Sequence, residues 1–196
     1  MRIVLLGAPG SGKGTQAELL LERLDLTHIS TGALLRNAVK AGSELGLRAR
    51  VVLEKGDLVS DRVMLGLIEE RLCKDDVANG FILDGYPRNL AQARSLESLL
   101  ERLGRPIDLA IQIDVDSELV IHRIAKRAKE EERSDDTEKT LRNRMQVYQK
   151  QTAPVADFYA KRGLLTRVMG DGDKHEVLQR ILSVINLDCD SDSPPD

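Results

Sequence analysis

Cysteine is scarce in this chain, and long apolar runs are missing altogether. Cys73 and Cys189 are the only two cysteines in 196 residues. They stand far apart, form neither a CxxC pair nor zinc-ligand spacing, and read as free thiols of a reducing compartment. Cys73 follows Leu72 on a helix and is expected in the core. No apolar stretch approaches the roughly 18 residues needed to span a bilayer, and the N-terminus goes straight into a strand. Long blocks of basic residues are also missing. The formal net charge is −3, but four aspartates after Arg180 supply −4, which leaves residues 1–187 at +1. Lys and Arg alternate with acids along that near-neutral body, so neither nucleic acid nor a membrane surface is an expected partner. His28, His122 and His175 are isolated, show no metal-ligand spacing, and are read as surface or packing residues. There is no internal repeat. A cytoplasmic protein with one well-buried core, at 41% hydrophobic content, is the expectation.

What is present starts at the N-terminus. The apolar run Ile3-Val4-Leu5-Leu6 leads directly into Gly7-Ala8-Pro9-Gly10-Ser11-Gly12-Lys13-Gly14-Thr15. A helix follows in which Ala17, Leu20, Leu21 and Leu24 share a face. Glycines at 7, 10, 12 and 14 let the backbone take positive φ and bring successive N–H groups to one anion. The helix start adds unpaired donors and its positive dipole end, and Lys13 adds a full charge. The pattern predicts a phosphate-binding loop in strand–turn–helix context. In one respect it departs from the generic form: Gly14 follows the lysine, and the hydroxyl comes one place later, at Thr15.

Further apolar runs suit buried parallel strands: Thr27–Ile29, Phe81–Leu83, Leu109–Val115 and Leu164–Val168. Helical stripes lie between and after them: Met64/Leu67/Ile68/Leu72, Leu96/Leu99/Leu100/Leu103 and Val177/Ile181/Val184/Ile185. The alternation predicts an α/β fold, a doubly wound parallel five-stranded sheet flanked by helices. Ligands of such sheets bind beyond the carboxyl ends of the strands. The polar clusters fall there: Ser30-Thr31-Gly32 ahead of a helix with Arg36, and Asp84-Gly85-Tyr86-Pro87-Arg88 ahead of a helix with Gln92. A helix from Ser117 would carry Arg123 and Arg127 one turn apart. Asp135 with Glu138 predicts a capping box opening a helix with Arg142 and Arg144, which Pro154 kinks or interrupts.

Four motifs in this order, GAPGSGKGTQ at 7–16, STGALLR at 30–36, DGYPRNLAQA at 84–93 and RSDD at 133–136, are similar to those of the adenylate kinases within the nucleoside-monophosphate kinase family. The similarity runs from Met1 to about Ile185. It implies a single P-loop kinase domain over 1–187, with an AMP-binding segment at about 30–59 and a short lid at about 126–136. Residues 188–196 would be an acidic, disordered tail. The implied reaction is ATP + AMP ⇌ 2 ADP with Mg²⁺, in a monomer. Phosphoryl transfer between two polyanions rests on positioning and charge stabilisation, and an anionic acceptor needs no strong general base.

By this resemblance Gly10, Ser11, Gly12, Lys13, Gly14 and Thr15 would wrap the ATP phosphates. Arg123 would lie against the adenine, Arg127 would reach the phosphates, and the backbone near Gly172 would read the base edge. Asp84, with Thr15, would hold Mg²⁺ through water. Many relatives carry aspartate where this chain has Ala33, so one outer contact to the metal would be missing. Arg36 and Arg88 would grip the AMP phosphate, and Arg133 and Arg144 would close in with the lid; Lys13, Arg88, Arg127, Arg133 and Arg144 form the catalytic set. Asp57, Leu58 and Val59, mainly through backbone, and Gly85, Tyr86 and Pro87 would line the AMP site. Thr31 and Gln92 would read its base, where kinases of UMP and CMP usually have Ala and Asn. Gly42, Gly46 and Gly56 are available for hinges or turns in the AMP segment. Five residues between Arg127 and Arg133 imply a short lid, and one without cysteine carries no zinc. The alternatives are a UMP/CMP kinase, a non-catalytic nucleotide-binding regulator, or a small-metabolite kinase such as one for shikimate, which would leave Thr31 and Gln92 without a purpose.

Overall fold

The computed structural model describes residues 1–55, 57–116, 120, 123 and 138–190. Gly56, His122, Arg127, Arg133, the helix expected from Ser117 (apart from Val120 and Arg123), the cap at Asp135, the lid at 126–136 and residues 191–196 lie outside that set. Five strands, β1 (Arg2–Leu6), β2 (Thr27–Ser30), β3 (Phe81–Asp84), β4 (Leu109–Asp114) and β5 (Leu165–Met169), form one sheet. All pairings are parallel, in the order β2-β3-β1-β4-β5. The chain thus winds to one side of β1 and then to the other, which places a crevice at the carboxyl end of β1.

Alternation along each strand sends neighbouring side chains to opposite faces. Val4, Leu6, Ile29, Phe81, Leu83 and Ala110 pack on one side; Ile3, Leu5, Ile82, Leu109, Ile111 and Ile113 pack on the other. Both faces of β1, β3 and β4 are covered, which is why these strands read as near-continuous apolar runs. On the second face lie α1 (Lys13–Leu21), through Ala17, Leu19 and Leu20, and α8 (Lys174–Asp190), through Val177, Ile181 and Ile185. The Gln16 amide ties them by donating to the Lys174 carbonyl at 2.9 Å. Leu24 lies past the end of α1 but still packs on this side. Because α8 continues through Asp190, its last turn takes in three residues of the expected tail.

The first face carries α4 (Asp61–Leu72), α5 (Leu90–Arg102) and α7 (Ala153–Ala160). Between β2 and α4 lie two helices, α2 (Thr31–Lys40) and α3 (Glu44–Lys55). They meet so closely that a β-carbon on Gly46 would come 2.0 Å from the Ala38 carbonyl oxygen, so only glycine fits. Helix α6 (Glu138–Val147) passes into a π-helical turn, Tyr148–Thr152, before α7. Pro154, in the first turn of α7, has no N–H to continue an α ladder, which accounts for the expected interruption.

Two local expectations are corrected. Gly14 takes no positive φ, unlike Gly7, Gly10 and Gly12; it is already the second residue of α1. Cys73 is exposed. Met64, Ile68 and Leu72 form the buried stripe of α4, and one residue further on turns about 100° away from it. A thiol reagent is therefore expected to label Cys73 fully in the folded Cys189→Ser protein. Labelling only after denaturant is added would contradict the placement.

Candidate active site

The strand ends frame a cleft of about 890 Å³ lined by the phosphate loop, His28, Arg36, Asp84, Arg88, Arg123 and Arg144 among others. After β1 the loop turns on positive-φ glycines, and Gly12 caps α1 in the left-handed region. Gln16 N–H donates to Gly12 at 2.9 Å as the first helical bond. The amides of Lys13, Gly14 and Thr15 precede it and have no intrahelical acceptor, the arrangement that favours an anion. Lys13 Nζ is held over the loop by the carbonyls of Gly7 at 2.8 Å and Ala8 at 2.9 Å. Thr15 is exposed at the cleft wall.

Asp84 ends β3 beneath the loop. A β-carbon on Gly14 would lie 3.5 Å from its carboxylate, an ordinary contact. Burial pushes the Asp84 carboxyl up, but His28 beside it, Lys13 and Arg88 together outweigh burial and hold it below the usual carboxylate range. It is therefore an anion at neutral pH. His28 Nε2 lies 3.7 Å from Asp84 Oδ2, too far for a hydrogen bond, and forms an ion pair only when protonated. Among the described residues no three His, Cys, Asp or Glu side chains converge to hold a metal. The donor set at Asp84 fits a hard cation whose remaining ligands are phosphate oxygens and water.

Beyond Asp84 the chain turns through Gly85 (φ +79°) into a cis Tyr86–Pro87 bond and Arg88. Arg88 Nε donates to the Gly85 carbonyl at 2.7 Å. Burial lowers the Arg88 pKa, Asp84 opposes that shift, and the nearby charges of Arg144 and Arg36 add to it. Arg36, Arg88 and Arg144 thus share one electrostatic neighbourhood. The Thr31 hydroxyl, 1% exposed, donates to the Gly85 carbonyl at 2.9 Å. Asn89 caps α5 by accepting from Gln92 N–H at 2.8 Å. The Gln92 side chain then folds back to accept from Arg88 N–H at 2.7 Å and to donate to Asp61 at 2.8 Å. Thr31, Leu58, Val59, Tyr86 and Gln92 line a small cavity of about 20 Å³, room for about one water. Burial, with the Asp61 charge adding, raises the Tyr86 hydroxyl above its usual range.

At the opposite end of the cleft, the Arg123 guanidinium donates to the carbonyls of Gly170 at 2.9 Å and Gly172 at 3.3 Å. The sequence reading placed Arg123 and Gly172 in one site, and they meet there. Asp57 contributes its side chain as well as backbone, accepting from Asn143 Nδ2 at 2.8 Å. Asn143 also donates to the Lys55 carbonyl and Thr140 to that of Glu54, which fastens the end of α3 to α6.

Residues 5–164 match the family model for adenylate kinase. A protein named adenylate kinase from Stenotrophomonas maltophilia (strain K279a) is 57% identical over 185 residues, covering 94% of this chain and 99% of its own. Another of that name, from Xanthomonas campestris pv. campestris (strain 8004), is 59% identical over 181 residues, or 92% of this chain and 97% of its own. The chain belongs to the adenylate kinase family.

Several residues at this family member's cleft carried no signal in the sequence reading. His28, set aside as a surface or packing residue, lines the cleft against Asp84. Tyr148 and Thr152 enter it from the π-helical turn, and Thr152 donates to the Arg88 carbonyl at 2.7 Å. Asp61 reaches Gln92 across 31 positions. Such pairings depend on how the chain packs, although Pro154 marked where α6 would be interrupted.

Gly85 is a tight point where Thr31 and Arg88 meet. A β-carbon there would sit 2.8 Å from the Thr31 hydroxyl and 3.1 Å from an Arg88 guanidinium nitrogen, at a φ that L residues rarely adopt. Gly85→Ala is expected to destabilise the fold by about 1–3 kcal/mol in urea titration. Gly66→Ala, in open space on α4, is expected to be neutral or stabilising by up to about 1 kcal/mol. Equal effects of the two substitutions would contradict this reading of Gly85.

Proposed function

We propose that this chain catalyses ATP + AMP ⇌ 2 ADP, with Mg²⁺ accompanying ATP, as a cytoplasmic monomer. The observation that carries the reading is that Arg36, Arg88 and Arg144 line the same cleft as the phosphate loop and bear on one another at Arg88, which lies near Asp84. A protein that bound ATP alone would need one anion site; this cleft has the chemistry for two.

On the donor side, the amides of residues 13–15 and Lys13 would cradle the ATP phosphates, while Arg123 and the backbone at Gly172 would hold the base. Lys13 would exchange the carbonyls of Gly7 and Ala8 for phosphate oxygens. Asp84, with Thr15, would hold Mg²⁺ through water, and the ion would neutralise charge on the donor phosphates. On the acceptor side, Arg36 and Arg88 would fork onto the AMP phosphate, with Arg144 alongside. Arg127 and Arg133 would complete the charge shield from the lid. Asp57, Leu58, Val59, Gly85, Tyr86 and Pro87 would border the AMP base, and Thr31 and Gln92 would read it. A cavity of about 20 Å³ at Gln92 is far smaller than a purine, so α2 and α3 must move outward to admit AMP and return over it. That return would expel water from the transfer site.

Base choice favours AMP over CMP and UMP. The Thr31 hydroxyl already donates to Gly85, so it offers an acceptor, and Gln92 offers both functions. Among the described residues no helix is long and apolar enough to cross a membrane. The large exposed apolar side chains there, Leu47, Val51, Leu90 and Met169, form no broad patch that calls for a partner.

The test is ADP formation from ATP and AMP with Mg²⁺, in wild type and Arg88→Ala. The substitution is expected to leave the fold intact and cut turnover at least about 10²- to 10³-fold, as removal of a charge-stabilising donor does. A loss below about tenfold would move the role elsewhere. No ADP from the wild type would favour a nucleotide-binding regulator.

A further inference from the structure

Gln92 is 2% exposed, and both ends of its amide are held by the protein. Oε1 accepts from the Arg88 backbone N–H at 2.7 Å, and Nε2 donates to Asp61 Oδ1 at 2.8 Å. A primary amide has two N–H donors and two acceptor lone pairs, so one of each remains for a ligand. Which side donates is decided by those two partners. Turning the amide over would set its NH₂ against the Arg88 N–H and its oxygen against the Asp61 carboxylate, donor on donor and acceptor on anion.

The acceptor at residue 61 is itself oriented. Asn89 Oδ1 accepts from Gln92 N–H at 2.8 Å, which leaves Asn89 Nδ2 to donate, at 3.0 Å, to the same Asp61 Oδ1 that Gln92 uses. Every direction in this ring of contacts is therefore fixed. Asp61 is an exposed first-turn residue of α4. A charge of its sign there also favours the helix dipole, but that role would serve any substrate equally.

We propose that Asp61 is a specificity-determining positioning residue, pinning the Gln92 amide in the one orientation that reads a 6-aminopurine monophosphate and rejects a 6-oxopurine. The inference rests on the acceptor pocket assigned above. A 6-aminopurine presents the ring acceptor N1 beside an N6–H donor, so the pinned amide meets it with two hydrogen bonds. A 6-oxopurine presents N1–H beside the acceptor O6, the reversed pattern. The same amide would then face a donor with its donor and an acceptor with its acceptor. Arg88 N–H is the second pin and belongs to the backbone. Asp61 is the pin that a substitution can remove.

The experiment measures kcat/KM with ATP and Mg²⁺ for AMP and for IMP, which differ only along the N1–C6 edge. Where IMP turns over too slowly, its inhibition constant against AMP replaces it. Wild type, Asp61→Ala and Asp61→Asn are compared. Alanine removes the acceptor; asparagine removes the charge but keeps Oδ1, held in place by Asn89 Nδ2. The AMP-to-IMP preference is expected to fall at least about tenfold in Asp61→Ala, through the KM for AMP, with the KM for ATP unchanged. Asp61→Asn is expected to keep the preference within about threefold of wild type. A ratio taken within one variant is insensitive to how much of that variant is folded. An unchanged ratio in Asp61→Ala, or an equal loss in both variants, would overturn the proposal. A wild type that leaves AMP unphosphorylated would overturn the pocket assignment, and this inference with it.

Discussion

Guanidinium groups gathered in one place repel each other, and the repulsion grows as water is removed from between them. Burial weakens the hold of Arg88 on its proton, Arg144 and Arg36 add to that, and Asp84 opposes them. Asp84 is in turn shared with Lys13 and His28. A fold that keeps these cations close bears an electrostatic cost, which binding of phosphate groups in the proposed reaction would offset. In the proposed reaction the acceptor is already an anion and needs no strong base, so the work of the site would lie in bringing two anions together.

Backbone carbonyls orient several of the cations. Gly7 and Ala8 carbonyls hold Lys13, the Gly85 carbonyl holds Arg88, and the Gly170 and Gly172 carbonyls hold Arg123. Carbonyl oxygens orient a cation without adding a formal negative charge beside it. The turns at Gly7 and Gly85 follow β1 and β3, inner strands buried on both faces, whereas the turn at Gly170 follows the edge strand β5, in which Arg167 and Met169 are exposed.

Much of this was legible beforehand, because strands buried on both faces leave unbroken apolar runs and phosphate loops leave a fixed glycine spacing. The five strands, the helices bearing Arg36 and Gln92, and the interruption at Pro154 follow from those local signals. Cys73 misled because Leu72, its neighbour, is buried while the helix turns the next side chain outward. Gly14 misled because the helix starts one residue earlier than the glycine spacing implies. His28 against Asp84, Asp61 on Gln92 and Thr152 on Arg88 were out of reach. Their partners lie 56, 31 and 64 positions away, and nothing local encodes such meetings.

Whether the two anion sites face each other in one cleft is the central claim. Inhibition kinetics with a dinucleotide whose two adenosines are joined 5′ to 5′ by a polyphosphate chain address it directly. The inhibitor is expected to compete with both ATP and AMP, at one molecule per chain, because its ends occupy both base pockets at once. Competition with one nucleotide and not the other would show that the sites are not end to end, and the proposed transfer would have no path.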